Sequence, residues 1–113
     1  MLVRETKPES VFFEMDTFWF AQAGADPAAF LERYPKRFRL LHLKDLARGT
    51  TQNTSGTVPE KASVALGQGQ LRWPEILRQA GLDGVAGYFI EDESPLAAQQ
   101  VPVTLEYLKR IRY

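Results

Sequence analysis

The chain has 113 residues, which suffices for one domain with a modest core, and its 14 basic and 14 acidic side chains cancel. This balance gives no reason to expect a nucleic-acid partner or an anionic membrane, and the absence of cysteine excludes disulfides and thiolate metal sites. No apolar run approaches the roughly 18 residues of a membrane span, and the N-terminus lacks a signal-peptide pattern, so we expect a cytoplasmic protein without membrane contact.

The first predicted strand covers residues 11–16 and ends in carboxylates. Glu14 and Asp16 are two residues apart, so on a strand they point to the same face. Such a pair can bind a metal or polarise a substrate hydroxyl, or it can lie on a solvated edge. Aromatic neighbours, including Phe18 and Trp19, favour the functional role. The strand is expected to lead into a loop, after which an Asp-Pro pair predicts the start of a helix.

The second predicted strand, residues 38–43, carries the only histidine, His42, at its polar end. Lys44 shares the His42 face and is predicted to bind a substrate oxygen or a phosphate, the alternative being a surface lysine. Asp45 points the other way and is expected to cap the following turn. Residues 47–70 predict a long loop, and loops of more than about 12–15 residues are usually functional or disordered. The loop begins directly after the polar residues His42, Lys44 and Asp45, and this position favours a functional role for the loop.

The last part of the chain predicts a helix, a strand and a helix. The first helix begins at Trp73, with Gly81 as its expected C-cap. Residues 85–91 form the third predicted strand, which turns polar at Glu91. Residues 102–113 are expected to form the final helix.

The alternation of strands and helices predicts an α/β fold with parallel strands in a single domain, residues 1–113. Asp16, His42 and Glu91 would then lie at the C-terminal ends of neighbouring strands, where α/β barrels place their active sites. Carboxylate and imidazole are hard to borderline ligands that suit a divalent cation. The sequence therefore predicts a metal site at this edge.

Several segments, taken in order, resemble the sugar phosphate isomerase/epimerase family, which has a xylose isomerase-like TIM barrel. They are Glu14-Met15-Asp16-Thr17-Phe18-Trp19, Ala23-Gly24-Ala25-Asp26-Pro27, His42-Leu43-Lys44-Asp45, Gly67-Gln68-Gly69 before Trp73, and Ile90-Glu91. The resemblance implies a partial TIM barrel, namely its C-terminal three βα units with parallel strands. Whole barrels of this kind have about 250 residues, so the chain is less than half of one.

The same resemblance implies a divalent metal, Mn, Mg, Co or Zn, held by Asp16, His42 and Glu91. Glu91 would also be the catalytic base, while the glutamate that completes the ligand set and the acid/base pair would belong to a strand absent from this chain. Glu14, Trp19 and Lys44 are predicted to contact the substrate. That substrate would be a small-molecule sugar, sugar phosphate or polyol undergoing metal-dependent proton transfer.

Three alternatives remain open at this point. The chain is a fragment without activity of its own, or it completes a barrel with an N-terminal partner chain or with copies of itself as a homo-oligomer. The third is a non-catalytic α/β interaction module that binds a partner through its exposed sheet edges. Because three strands cannot close a barrel, Phe12, Leu40 and Phe89 are predicted to be partly exposed.

Overall fold

Three parallel strands, with helices on one side of them, form the centre of the computed structural model, which describes residues 2–113. The elements in chain order are α1 (Leu2–Glu5), β1 (Phe13–Asp16), α2 (Thr17–Gln22), α3 (Pro27–Arg33), β2 (Phe38–Leu43), β3 (Asp45–Leu46), a 3₁₀ turn (Glu60–Ala62), β4 (Ser63–Val64), α4 (Trp73–Asp83), β5 (Gly87–Ile90) and α5 (Ala97–Arg110). The main sheet has the order β1-β2-β5 with both pairs parallel. The predicted α/β class with parallel strands is confirmed.

The two faces of the sheet have different environments. Leu41 and Leu43 of β2 are buried in a core that includes Trp73 and Ile76 of α4. On the opposite face, which we call the open face, His42 of β2 pairs in register with Asp16 of β1 and with Phe89 of β5. Strand side chains alternate between faces, so the residues that precede and follow these by two positions share the open face.

The predicted exposure of apolar side chains is confirmed. Phe12 is 45% and Phe89 is 48% exposed, and Leu40 is half-buried. Phe89 and Leu40 lie on the open face, where three strands present a surface that a closed barrel would cover with further strands. Within residues 2–113, no helix has the length and apolarity required to cross a membrane.

A helix stands where a loop was expected after the first strand. α2 begins directly after Asp16, because the Asp16 carboxylate accepts a hydrogen bond from the Trp19 N–H at 3.2 Å and so caps the helix. The Thr17 hydroxyl lies 3.0 Å from the His42 carbonyl oxygen and 2.9 Å from that of Lys44. These contacts fix the end of β1 to the end of β2.

The bounds of two helices also differ from the predicted ones. α4 continues past Gly81 to Asp83 and ends at Gly84, whose φ of 77° is the left-handed conformation that glycine adopts readily. α5 covers Ala97–Arg110 instead of residues 102–113, so it ends earlier than predicted and Pro102 lies inside it instead of starting it. A proline inside a helix removes one backbone hydrogen bond, and its ring crowds the carbonyl of the residue four positions earlier, here Ala98.

The predicted long loop, residues 47–70, is partly regular. Ser63 and Val64 form β4, which pairs antiparallel with Asp45 and Leu46 of β3. The loop is also fixed to α2, since the Gln22 side-chain amide donates to the Thr51 carbonyl at 3.1 Å. Sequence composition missed this second sheet because its strands have only two residues each.

The segment that follows β4 is held by one buried carboxylate. Asp45, which is fully buried, accepts hydrogen bonds from five donors: the N–H groups of Leu46 (2.8 Å), Gly67 (3.0 Å), Gly69 (3.2 Å) and Leu71 (3.2 Å), and the indole N–H of Trp73 (2.8 Å). Gly69 has no space for a side chain, because a Cβ there would overlap this carboxylate and the Leu46 carbonyl. Asp45 was expected to cap the following turn. Its carboxylate also holds the segment that follows β4.

Asp83 gives a pH-dependent prediction. It is 7% exposed at the C-terminal end of α4, and among the described residues its Oδ2 has no hydrogen-bond partner. Burial raises the pKa of Asp83, and the Gln79 amide, which donates to Oδ1 at 3.2 Å, opposes that rise. Because the folded pKa lies above the unfolded one, the stability contributed by Asp83 is fully present below the unfolded pKa and is lost as pH rises through the folded pKa.

We therefore expect Asp83→Asn to raise the free energy of unfolding at neutral pH by about 0.5–1 kcal/mol, since it removes a buried charge from the negative end of a helix dipole. The gain should disappear in acid, where Asp83 is protonated. Urea unfolding of both chains across the pH range measures this difference. A constant difference at all pH values would contradict the electrostatic explanation.

Candidate metal centre

Three potential ligands meet at the C-terminal ends of the parallel strands. Asp16 is the last residue of β1, His42 is the fifth residue of β2, and Glu91 directly follows β5. The parallel register places Asp16 beside His42. The Glu91 N–H continues the pairing with β2 by donating to the Leu43 carbonyl at 3.3 Å, which keeps the Glu91 side chain on the face of Phe89.

The side chains of this trio come close enough to share a cation. His42 Nδ1 lies 2.9 Å from Glu91 Oε2 and 3.8 Å from Asp16 Oδ2. One ligand atom from each residue lies within 4.8 Å of the others, and all three side chains are half-buried. Two carboxylate oxygens and one imidazole nitrogen are a donor set that fits Mn, Mg, Co or Zn. The residues therefore fit the predicted metal.

The electrostatics of Asp16 are set by its position between the sheet and α2. Burial raises the pKa of Asp16, while the hydrogen bond from the Trp19 N–H and the nearby Lys44 ammonium oppose that rise. The cap uses Oδ1, and Oδ2 is the oxygen that faces His42. The Asp16 carboxylate thus caps α2 with Oδ1 and presents Oδ2 to the candidate metal centre.

Glu14, predicted to contact substrate, lies on the other side of the imidazole ring. Its Oε1 is 2.7 Å from His42 Nε2, and its side chain is 41% exposed. His42 is therefore held between Glu14 at Nε2 and the pair Asp16 and Glu91 at Nδ1. The ring of Phe89 packs edge-on against the imidazole, with centroids 6.2 Å apart.

The other two predicted substrate contacts, Lys44 and Trp19, lie together beside this centre. The Lys44 side chain is 2% exposed, so it is not a surface lysine, and its ammonium forms an ion pair with the exposed Glu93. The ammonium lies 4.7 Å from the Phe18 ring centroid and 5.7 Å from that of Trp19. These residues line a cavity of about 180 Å³.

Sequence reasoning did not predict the role of Glu93. The signal was present, because Glu93 follows Glu91 by two residues just as Lys44 follows His42, so each pair can extend the same row of the sheet. Along this row, the His42 imidazole pairs with the Glu91 carboxylate, and the Lys44 ammonium pairs with the Glu93 carboxylate. The buried ammonium thereby gains a counter-charge, which a buried charge requires.

Solved structures show what the chain is similar to. Two crystal structures of sugar phosphate isomerase/epimerases, both from Parabacteroides distasonis ATCC 8503, match with TM-scores of 0.74 and 0.72 at 26% and 28% sequence identity. The matches cover 97% and 96% of this chain but only 35% and 34% of those chains. No protein-family model matches the sequence. No curated protein matches it either. The chain thus has the fold of about one third of a sugar phosphate isomerase/epimerase, a partial barrel.

Proposed function

We propose that this chain supplies most of the metal centre of a sugar or sugar phosphate isomerase/epimerase that works by metal-dependent proton transfer. The observation that carries the proposal is the convergence of Asp16, His42 and Glu91 at adjacent strand ends on the open face. The names of the two similar crystal structures support the reaction class.

In this proposal Asp16, His42 and Glu91 hold a divalent ion, Mn, Mg, Co or Zn. When bound, such an ion supplies Lewis-acid polarisation of a carbonyl or hydroxyl oxygen, which makes the adjacent carbon–hydrogen bond more acidic. Glu91 is the base: its carboxylate takes a proton from the carbon beside the carbonyl of a keto or aldo sugar and returns it on the same face to a neighbouring carbon. Delivery of a proton to the opposite face, as epimerisation requires, would need the second carboxylate of the acid/base pair.

Lys44 and Trp19 would position the substrate. The Lys44 ammonium can donate to a sugar oxygen or a phosphate, and its burial strengthens such a hydrogen bond because water does not compete for it. The Trp19 ring can pack against the apolar face of a sugar, and Glu14 could contact a hydroxyl through the oxygen that does not face His42. A substrate oxygen at Lys44 would share the ammonium with Glu93 or replace it.

Turnover is proposed for an assembly and not for these three strands alone. The chain spans about a third of the length of the structures it matches, and Phe89 and Leu40 are partly exposed on the open face. By resemblance, the glutamate that completes the acid/base pair comes from another strand. The remaining strands would come from an N-terminal part of the barrel or from further copies of the chain.

An interaction module without catalysis is the second candidate. It is favoured by one observation: β1 and β5 are the outer strands of the main sheet in the described residues, with the half-exposed Phe12 and Phe89 on or beside them. Outer strands of this kind pair readily with another chain. Such a module has no use for a metal, and this separates it from the first proposal.

The test is the effect of divalent cations on thermal unfolding. We expect Mn²⁺, Co²⁺, Mg²⁺ or Zn²⁺ to raise the Tm, because a ligand at 100 times its Kd stabilises the folded state by about 2.7 kcal/mol. Size-exclusion chromatography with light scattering and metal analysis of the purified chain gives the oligomeric state and the metal content together. No shift with any of the four cations, in the lone chain and in a reconstituted barrel, would contradict the proposal.

A further inference from the structure

The imidazole of His42 has carboxylates at both of its nitrogens, and the two sides are not equivalent. Nδ1 faces Asp16 and Glu91, the two carboxylates that with His42 form the candidate ligand group. Among residues 2–113, Nε2 faces the Glu14 carboxylate, at 2.7 Å, which is the shortest of the three nitrogen–oxygen distances. A neutral imidazole has one N–H donor and one lone pair, so the side that keeps the proton decides which nitrogen can bind a cation.

We infer that Glu14 is a positioning residue, whose carboxylate accepts a hydrogen bond from His42 Nε2–H and so leaves Nδ1 to ligate a divalent cation together with Asp16 and Glu91. The inference rests on the proposed metal function and adds to it a residue outside the ligand group. Metal-binding histidines commonly donate their second ring N–H to a carboxylate, which fixes the tautomer and the ring orientation.

The strand geometry explains why Glu14 reaches the far side of the ring. Glu14 and Asp16 share a face of β1, and the register places Glu14 opposite Leu40 and Asp16 opposite His42. Glu14 therefore approaches the ring from one step further back along the strands, while Asp16 and Glu91 lie at the strand ends. The alternating geometry of a strand thus places two carboxylates of β1 on different nitrogens of one imidazole.

The same contacts hold the orientation of the ring. A half-turn about the Cβ–Cγ bond of His42 would put carbon atoms where the two nitrogens now lie, and both carboxylate contacts would be lost. The Phe89 ring, edge-on at 6.2 Å, limits the space for other orientations. A ring held in one orientation loses less freedom when a cation binds, which favours affinity.

The experiment is NMR and calorimetry on the full-length chain with isotope-labelled nitrogen, with and without Zn²⁺ or Cd²⁺. Because His42 is the only histidine, every imidazole signal belongs to it. Spin coupling between cadmium and a ring nitrogen identifies the ligating atom, and the exchange rate of the ring N–H reports its hydrogen bond. The variants are Glu14→Leu, which removes the acceptor, and Glu14→Gln, which keeps an acceptor oxygen. Glu9→Gln changes an exposed carboxylate before β1 and is the matched control.

We expect cadmium to couple to Nδ1 and the Nε2–H to exchange slowly in the wild-type chain and in Glu9→Gln. Glu14→Leu should weaken cation binding by about 10–100-fold and make the Nε2–H exchange fast. Glu14→Gln should restore slow exchange and most of the affinity, which also guards against a Leu variant that fails to fold. Coupling of cadmium to Nε2, or unchanged affinity and exchange in Glu14→Leu, would overturn the inference.

The same experiment distinguishes failure of the proposed metal function from failure of the inference about Glu14. If the wild-type chain binds no cation, the proposed function fails, and the metal-free chain decides the inference about Glu14. A slowly exchanging Nε2–H that depends on Glu14 supports the hydrogen bond, whereas rapid exchange in the wild-type chain overturns it. A direct contact between Glu14 and substrate alone predicts no change in cation affinity on substitution.

Discussion

His42→Ala is expected to remove the stabilisation of the chain by divalent cations while leaving the fold in place. The imidazole supplies the one nitrogen in the candidate ligand group, and it lies between carboxylates from β1 and from the residue after β5. Without it, the remaining side chains are carboxylates with no group between them to hold their spacing. Because loss of an outer partner alone costs 10–100-fold in metal affinity, we expect about 100-fold or more for this ligand.

Calorimetric titration with Zn²⁺ or Mn²⁺ measures the affinity, and circular dichroism checks the fold. Arg39→Ala is a suitable control, since Arg39 is an exposed residue of the same strand whose guanidinium stacks on Phe12 and not on the ligands. The control should bind cations as the wild-type chain does. Unchanged affinity in His42→Ala would remove His42 from the site, and the interaction-module alternative predicts no cation effect in any of the three chains.

Asp45→Asn is expected to have the largest effect on stability. Both oxygens of Asp45 accept hydrogen bonds from N–H donors of the described residues: Oδ1 from Leu46 and Leu71, and Oδ2 from Gly67, Gly69 and the Trp73 indole. An amide has one NH₂ group, which would face N–H donors in either orientation. We expect a loss of about 3–5 kcal/mol in the free energy of unfolding, because buried polar groups lose their partners.

Such a loss is a large part of the 5–15 kcal/mol by which domains are usually stable, so much of the variant should be unfolded under mild denaturing conditions. Burial raises the pKa of Asp45, and the hydrogen bonds from Trp73, Leu71, Gly67 and Gly69 oppose that rise. Urea unfolding followed by circular dichroism gives the difference. Tryptophan fluorescence, which reports Trp19 and Trp73 together, is the second probe.

Asp26→Asn is the matched control for this substitution. Asp26 caps α3 with a single oxygen, Oδ1, which accepts from the Ala28 and Ala29 N–H groups at 3.0 and 3.3 Å. Asparagine caps helices about as well, because its carbonyl oxygen can accept the same bonds. The exposed ion pair of Asp26 with Arg72 adds little, so the control should lose about 0.5 kcal/mol. Equal losses in both variants would contradict the donor-count explanation.

His42 and Asp45, the residues substituted in these two predictions, lie only three positions apart in the sequence. Lys44 and Asp45 are neighbours in sequence, but Lys44 lines the cavity beside the candidate metal centre and Asp45 fixes residues 67–73. The polar end of β2 therefore supplies a candidate ligand, a candidate substrate contact and a structural anchor in four residues. Substitutions here should be compared on affinity and on stability separately.

The sequence by itself determined the α/β class, the parallel arrangement and the residues of the candidate ligand group. Apolar runs that end in carboxylate or imidazole define strand and strand end together, and parallel strands bring such ends to one edge. Alternation and strand direction predicted polar groups at this edge, and the family resemblance implied that Asp16, His42 and Glu91 are the ligands among them. The exposure of Phe89 followed from the number of strands.

Only the tertiary structure decided which partners these side chains take. The contact of Glu14 with His42 Nε2, the pairing of Lys44 with Glu93 and the five donors at Asp45 all depend on the register between strands or on loop closure. Sequence spacing fixes the face on which a side chain lies, but not the neighbour it meets across a sheet. A buried polar atom must find its partners wherever the folded chain brings them, and that requirement acts over distances in sequence that no local pattern records.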